Sequence, residues 1–133
     1  MFRHDHIHHL AADPAGAIEW YTHVFGASEI ERHDIRGGEA VRLDIGGVNI
    51  IVQEKQPDAE WAPAPPSPAH GADHFCFRVD DIEVDDIEAA AEHLRERGAT
   101  IYDGPRSPRP GWGVIHLNGP DEVHIEIIMR PGR

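Results

Sequence analysis

The chain has one cysteine, Cys76, among 133 residues. A lone thiol can make neither an intramolecular disulfide nor a multi-thiolate zinc site, so disulfide-scaffold and zinc-finger roles are excluded. Cations are also scarce. Lys plus Arg number 12 against 24 for Asp plus Glu, a formal net charge of -12, and such a field repels phosphate backbones and anionic membrane surfaces. Neither nucleic acid nor a membrane is an expected partner. No run comes near the roughly 20 apolar residues of a membrane span. The first ten residues carry histidines where a secretory signal would carry an apolar stretch, so a cytoplasmic protein is expected. Apolar residues make up 40% of the chain, enough for one core but not for two independent ones. Residues 1–133 are therefore read as a single domain, in which any internal repeat supplies two halves of one fold.

Histidine, by contrast, is abundant: 11 residues, which raises the question of whether some of them bind a ligand. The hydropathy pattern gives these histidines a setting. The segment from Asp5 to Asp13 reads as a short strand ending at an N-cap, with Pro14 at the first helical position. Ala17, Trp20, Tyr21 and Val24 follow at helical spacing, and Gly26 stands where a C-terminal glycine stops a helix. Strands are expected over Glu29–Asp34, Ala40–Ile45 and Val48–Gln53, with turns at Gly37-Gly38 and Gly46-Gly47. The same order returns after residue 71. A strand from Asp73 to Val79 precedes a helix from Ile87 to Arg97, and strands follow over Thr100–Asp103, Gly113–Leu117 and Val123–Met129. Asp13 lies seven residues after His6, and Asp81 seven after His74, so the two halves align as repeats. A near-duplication, Val79 to Glu83 and Val84 to Glu88, leaves Asp81 and Asp86 as rival N-caps, with Asp86 preferred. The organisation expected is module one over 1–56, a connector over 57–71 and module two over 72–133. Five prolines in and beside the connector (57, 63, 65, 66 and 68) bar it from helix or central strand.

Side chains alternate across a strand. Phe75, Phe77 and Val79 therefore face the helix, and His74, Cys76 and Arg78 face the other way. In the last strand Val123, Ile125 and Ile127 face the helix, while His124, Glu126 and Ile128 share the opposite face. A glutamate between apolar neighbours is costly to bury unpaired, and a metal ion is one partner that makes its burial favourable. His4, His6 and His8 share the inner face of the first strand, and the spacing to Asp13 singles out His6.

These residues resemble a known family. Asp5-His6-Ile7-His8 running to Asp13 and Trp20-Tyr21, Asp73-His74-Phe75 with Val79-Asp80-Asp81, and Gly119-Pro120-Asp121 leading to Ile125-Glu126 are similar to the vicinal oxygen chelate superfamily, which includes glyoxalase I, extradiol dioxygenases, and the fosfomycin and bleomycin resistance proteins. The resemblance implies an α+β fold of two pseudo-repeated βαβββ modules. Together they would form a cup-shaped, mixed eight-stranded sheet with helices outside, often in a homodimer. It also implies one divalent metal ion (Fe, Mn, Ni, Co or Zn) held by His6, His74 and Glu126. The repeat places Ile51 opposite Glu126. Glyoxalase I has a carboxylate at that module-one position, so this chain departs from the glyoxalase pattern. Glu122 departs as well, standing where the superfamily turn usually carries glycine.

The function expected is a metal-dependent enzyme that chelates vicinal oxygens of a small substrate in lyase or isomerase chemistry. One alternative is an Fe(II) extradiol-type dioxygenase, since two histidines and a carboxylate match the facial arrangement of non-haem iron enzymes. Against it, the superfamily's dioxygenases generally contain four modules. The other alternative is metal-free sequestration of a small molecule, as in bleomycin resistance, which has no need for an inward Glu126. Glu126, His8 and His124 are the candidate catalytic groups, with His8 and His124 equally readable as polar lining. Arg106, Arg109 and Trp112 form a loop suited to the anionic end of a substrate, or else a solubilising edge. Tyr102 is a candidate proton donor. Cys76 is read as a small lining group, because no sequence neighbour would lower its pKa.

Overall fold

The computed structural model describes residues 1–80 and 86–132. They fall into two compact units that divide between Ala64 and Pro65, inside the proline-rich connector. The connector itself forms no helix or strand.

Unit 1 runs β1 (His6–Leu10), α1 (Pro14–Phe25), β2 (Ser28–Ile35), β3 (Gly38–Ile45) and β4 (Val48–Gln53). Its sheet has the order β1-β4-β3-β2, with β1 parallel to β4 and the other pairs antiparallel. The parallel pairing follows from the helix: α1 carries the chain back along the sheet, as a βα crossover does. Asp13 caps α1 by accepting from the Gly16 amide at 3.1 Å, and Gly26 ends it with φ 66. The helix lays Ala17, Tyr21 and Val24 on Val41, Leu43, Ile50 and Val52, all buried. Burying each of the larger side chains contributes about 1.5–3 kcal/mol. His9 points into this core, where its Nδ1 lies 2.9 Å from the Tyr21 hydroxyl.

Unit 2 repeats the plan with β5 (Phe75–Arg78), α2 (Ile87–Glu96), β6 (Thr100–Arg106), β7 (Gly113–Asn118) and β8 (His124–Met129). Its sheet order is β5-β8-β7-β6, again with a parallel first pair. Asp86 caps α2, accepting from the Ala89 amide at 2.6 Å. Its rival Asp81 lies outside the described residues. Ile87, Ala90, Ala91 and Leu94 pack against buried Ile115, Leu117, Ile125 and Ile127. Both units are thus βαβββ modules with one four-stranded mixed sheet and one helix each.

Three local features depart from the sequence reading, and a fourth, the turn before the last strand, closes where it is expected. The first hairpin turns at Arg36-Gly37, with φ 54 and 89, and not at Gly37-Gly38. Gly38 already belongs to β3, where a Cβ would stand 2.5 Å from the Glu54 carbonyl oxygen, so its role is close backbone approach. Strand β5 begins at Phe75, leaving His74 just ahead of the ladder. Strand β6 extends to Arg106, past Pro105, because it is an edge strand with an irregular register and tolerates a missing amide. The turn at Gly119 to Glu122 closes with Asp121 at φ 56 and Glu122 at φ 57, left-handed conformations that glycine adopts at no steric cost.

Candidate metal centre

Strand register assembles the polar face of unit 2. Glu126 in β8 pairs with Cys76 on one side and His116 on the other, so three neighbouring strands bring these side chains to one face. His74, two residues before Cys76, points the same way. Its Nε2 lies 3.4 Å from Glu126 Oε2, and His116 Nε2 lies 3.4 Å from that same oxygen. The other carboxylate oxygen, Oε1, accepts from the Cys76 thiol at 3.4 Å. Glu126 is mostly shielded, with 18% of its side chain exposed.

The orientation of His74 is set from behind. Asp73 Oδ2 lies 2.8 Å from its Nδ1, and this hydrogen bond holds the Asp73 carboxyl below the ordinary carboxylate range. A carboxylate placed on Nδ1 with Nε2 turned the other way, toward Glu126, is the arrangement found behind metal-bound histidines. Unit 1 repeats this device. His6 Nδ1 lies 2.6 Å from Asp5 Oδ2, and Asp5 is likewise depressed, first by that hydrogen bond.

Cys76 keeps some contact with solvent. The surrounding protein, and next the Glu126 carboxylate, still push its thiol up to about 12. Without a metal it therefore stays protonated and donates to Glu126. Nearby, the Tyr102 hydroxyl lies 3.1 Å from His124 Nδ1. Burial raises the Tyr102 pKa, and the charges of Asp73, Asp103 and Glu126 add to the shift. The phenol remains a proton-bearing group.

The matching face of unit 1 carries other chemistry. Ile51 stands in register between His8 and Arg42, as Glu126 stands between Cys76 and His116. The two registers thus align Ile51 with Glu126, His8 with Cys76, and Arg42 with His116. His8 Nε2 is engaged by Gln53 Oε1 at 2.6 Å, and the His6 and His8 rings lie 5.6 Å apart. Arg42 bonds Asn49 at 3.0 Å and pairs with Glu31 at 3.3 Å.

Among the residues proposed from sequence, His74 and Glu126 are brought together in unit 2, and His124 lies on the same face beside Tyr102. His6 and His8 share the polar face of unit 1. Arg106 pairs with Asp103 at 3.2 Å. Arg109 stacks 3.7 Å above the Trp112 ring, with Arg130 at 5.7 Å. His116 is the residue sequence reasoning passed over. Two signals pointed to it: its alternation with buried Ile115 and Leu117, and the antiparallel pairing that sets it opposite Glu126.

Among the described residues, no three His, Cys, Asp or Glu side chains are grouped so that they could hold a metal ion as they stand. The donor chemistry nevertheless fits a divalent ion. Bonds of about 2.1 Å at a tetrahedral centre separate ligand atoms by about 3.4 Å, the spacing already present between each imidazole nitrogen and Glu126 Oε2.

The chain is thus two βαβββ modules, the second with His74 beside Glu126 on one sheet face, and comparison with known proteins gives its family. The sequence profile of the Glyoxalase/Bleomycin resistance protein/Dioxygenase superfamily matches residues 3–127. The chain belongs to this superfamily. Comparison with curated protein sequences returned no match. Among solved structures, a glyoxylase/bleomycin resistance protein/dioxygenase domain from Frankia sp. EAN1pec is similar, with TM-score 0.77 and 21% identity over 100% of this chain and 96% of that one. The fosfomycin resistance protein FosX from Mesorhizobium loti matches with TM-score 0.64 and 19% identity over 100% and 94%. A variant of Listeria monocytogenes FosX, complexed with Mn(II) and 1S,2S-dihydroxypropylphosphonic acid, matches with TM-score 0.67 and 17% identity over 96% and 89%. At these identities the likeness is one of fold. No described helix is long and apolar enough to cross a membrane.

Proposed function

We propose that the chain is a divalent-metal-dependent enzyme that binds two neighbouring oxygens of a small substrate, with His74 and Glu126 as ligands in unit 2 and His6 as the module-one ligand. The observation that carries this reading is the pairing of His74 Nε2 with Glu126 Oε2 at 3.4 Å while Asp73 holds Nδ1 from behind. A largely shielded carboxylate with an imidazole nitrogen on either side is an arrangement that a cation between them would stabilise. A bound ion would supply Lewis acidity toward negative charge developing on a substrate oxygen.

The chain's own groups supply the remainder. Cys76 fixes the Glu126 carboxylate by donating to Oε1, which turns Oε2 toward the imidazoles. Tyr102 and His124 form a hydrogen-bonded couple able to hold or pass a proton beside the site. His8 and Gln53 form a corresponding couple in unit 1. Arg109 on Trp112, with Arg106 nearby in sequence, offers cations to an anionic substrate end. The dihydroxyphosphonate bound with Mn(II) in the FosX variant is a ligand of the same class, combining vicinal oxygens with an anionic group.

Elemental analysis after reconstitution with Fe(II), Mn(II), Ni(II) and Zn(II) tests the proposal. The expected result is about one ion per chain, lost in His74→Ala and in Glu126→Gln. Full metal content in both variants would remove the assignment. Dioxygen uptake with catechols in the Fe(II) form alone would shift the chemistry to ring cleavage.

A further inference from the structure

The sheet face that holds His74 and Glu126 contains a third donor that neither the sequence pattern nor the family resemblance assigns. We propose that His116 is itself a metal ligand, so that unit 2 alone supplies His74, His116 and Glu126 to one ion. This rests on the metal-dependent reading above and extends its ligand set.

Three observations converge. First, His116 Nε2 and His74 Nε2 approach the same oxygen, Glu126 Oε2, at 3.4 Å each. A neutral or charged N–H···O bond lies at about 2.7–3.2 Å, so neither contact is a hydrogen bond of ordinary length. Both have the spacing of two ligands about a common ion. Second, the rings pack edge to face, with centroids 5.6 Å apart and planes at 86°, a contact that fixes the two imidazoles against each other beside the carboxylate. Tyr102 packs against His116 at 6.0 Å and helps keep that ring in place. His116 is also well shielded, at 16% exposure, and a third donor there helps compensate a cation that has left water.

Third, the chain carries its own control. The repeat puts Arg42 where unit 2 has His116, and Ile51 where it has Glu126. Where the carboxylate is missing, the imidazole is missing too, and a guanidinium that cannot coordinate stands in its place. The two positions change together between the halves of one chain, as expected if they serve one ion.

The test is metal binding by purified full-length protein carrying His116→Gln, with wild type, His74→Ala and Glu126→Gln beside it. Competition titration with Zn(II) should show affinity lowered by about a hundredfold or more in His116→Gln, beyond the 10- to 100-fold typical of a residue that only orients a ligand. The Co(II) form gives a second readout: its ligand-field absorption should change, and one hyperfine-shifted imidazole N–H resonance should vanish. Unchanged absorption and resonance count in His116→Gln, with metal lost from His74→Ala and Glu126→Gln, would overturn this inference and leave the proposed function standing. Metal retained by all three variants would defeat both. Should His116→Gln fail to fold, Co(II)-loaded His6→Ala decides the matter: two shifted imidazole resonances support His116 as a ligand, and one rejects it.

Discussion

Gly113 is the point where strand β7, which carries His116, meets helix α2. A Cβ added there would lie 2.5 Å from Ile87 Cβ, 2.8 Å from Cγ1 and 3.0 Å from Cγ2. Carbon atoms in good contact sit about 3.5–4.0 Å apart, so Gly113→Ala brings the new methyl too close to three atoms by roughly 0.5–1.5 Å. Ile87 cannot simply swing away. Its Cβ is fixed to the first turn of α2, and the side chain is buried at 7% exposure. The helix must therefore lift from the sheet, at a cost of about 1–3 kcal/mol by the usual range for overpacking. Gly113 is absent from the residues with positive φ, so the penalty is steric and not conformational. Ile87→Ala alone should cost about 2–5 kcal/mol through the cavity it leaves. In the double variant the contacts at 2.8 and 3.0 Å are gone while that with Cβ remains, so the clash is relieved in part and the double cost should fall short of the sum by about 0.5 kcal/mol. Urea unfolding followed by circular dichroism measures all four proteins. Additive costs, or a Gly113→Ala midpoint equal to wild type, would refute the packing argument.

Glu122→Gly should stabilise the protein by up to about 1 kcal/mol, because the φ of 57 that Glu122 adopts costs a side chain about 1–2 kcal/mol, part of which glycine returns as chain entropy; a lower thermal midpoint would count against it. Asp73→Asn should weaken Zn(II) binding about 10- to 100-fold by loosening the His74 ring, while leaving the ion bound at saturation; equal affinities by competition titration would show that the carboxylate does not orient the ring. In metal-free protein, Cys76 should react with iodoacetamide at about pH 8 far more slowly than a free thiol of pKa about 8.5, since its own lies up near 12, and unfolding in urea should restore reactivity. The same shift gives a sign for stability. The folded state holds this proton more tightly than the unfolded chain, so its contribution is complete below the ordinary thiol pKa and is lost as pH rises toward about 12. Mass spectrometry of the alkylated protein and alkaline urea titrations check the two halves of that statement.

Much of this was legible before the coordinates because the deciding interactions are local. Asp13 with Pro14, and Gly26, bound α1 through caps made within a few residues of the helix ends, and such signals survive any tertiary context. Period-two alternation likewise placed Glu126 on a face of its own between Ile125 and Ile127. Features set by partners distant in sequence were not legible. Gly38 looks like a turn residue until the Glu54 carbonyl is seen against it. The length of β6 depends on its place at the sheet edge, which excuses Pro105. His116 gave no motif of its own, because what marks it is its partner across the ladder, ten residues on.

That partner also explains why the two halves of the chain can share a backbone plan and differ in chemistry. Each module needs Ile, Leu and Val on the helix face, and the repeat keeps them: Leu43, Ile50 and Val52 in unit 1, Leu117, Ile125 and Ile127 in unit 2. The opposite face contributes little to that core and is free to diverge. There the repeat keeps one element, the Asp-His pair in which the carboxylate holds Nδ1 and presents Nε2. It changes the positions across from that pair, giving unit 2 Glu126 with His116 and unit 1 Ile51 with Arg42. Orienting an imidazole costs the fold nothing once Asp precedes His at the start of a strand, whereas an inward carboxylate has to be compensated. Glu126, at 18% exposure with a thiol on one oxygen and two imidazoles near the other, has in unit 2 polar neighbours that unit 1 does not give Ile51, and it is these neighbours that the proposed cation would draw on.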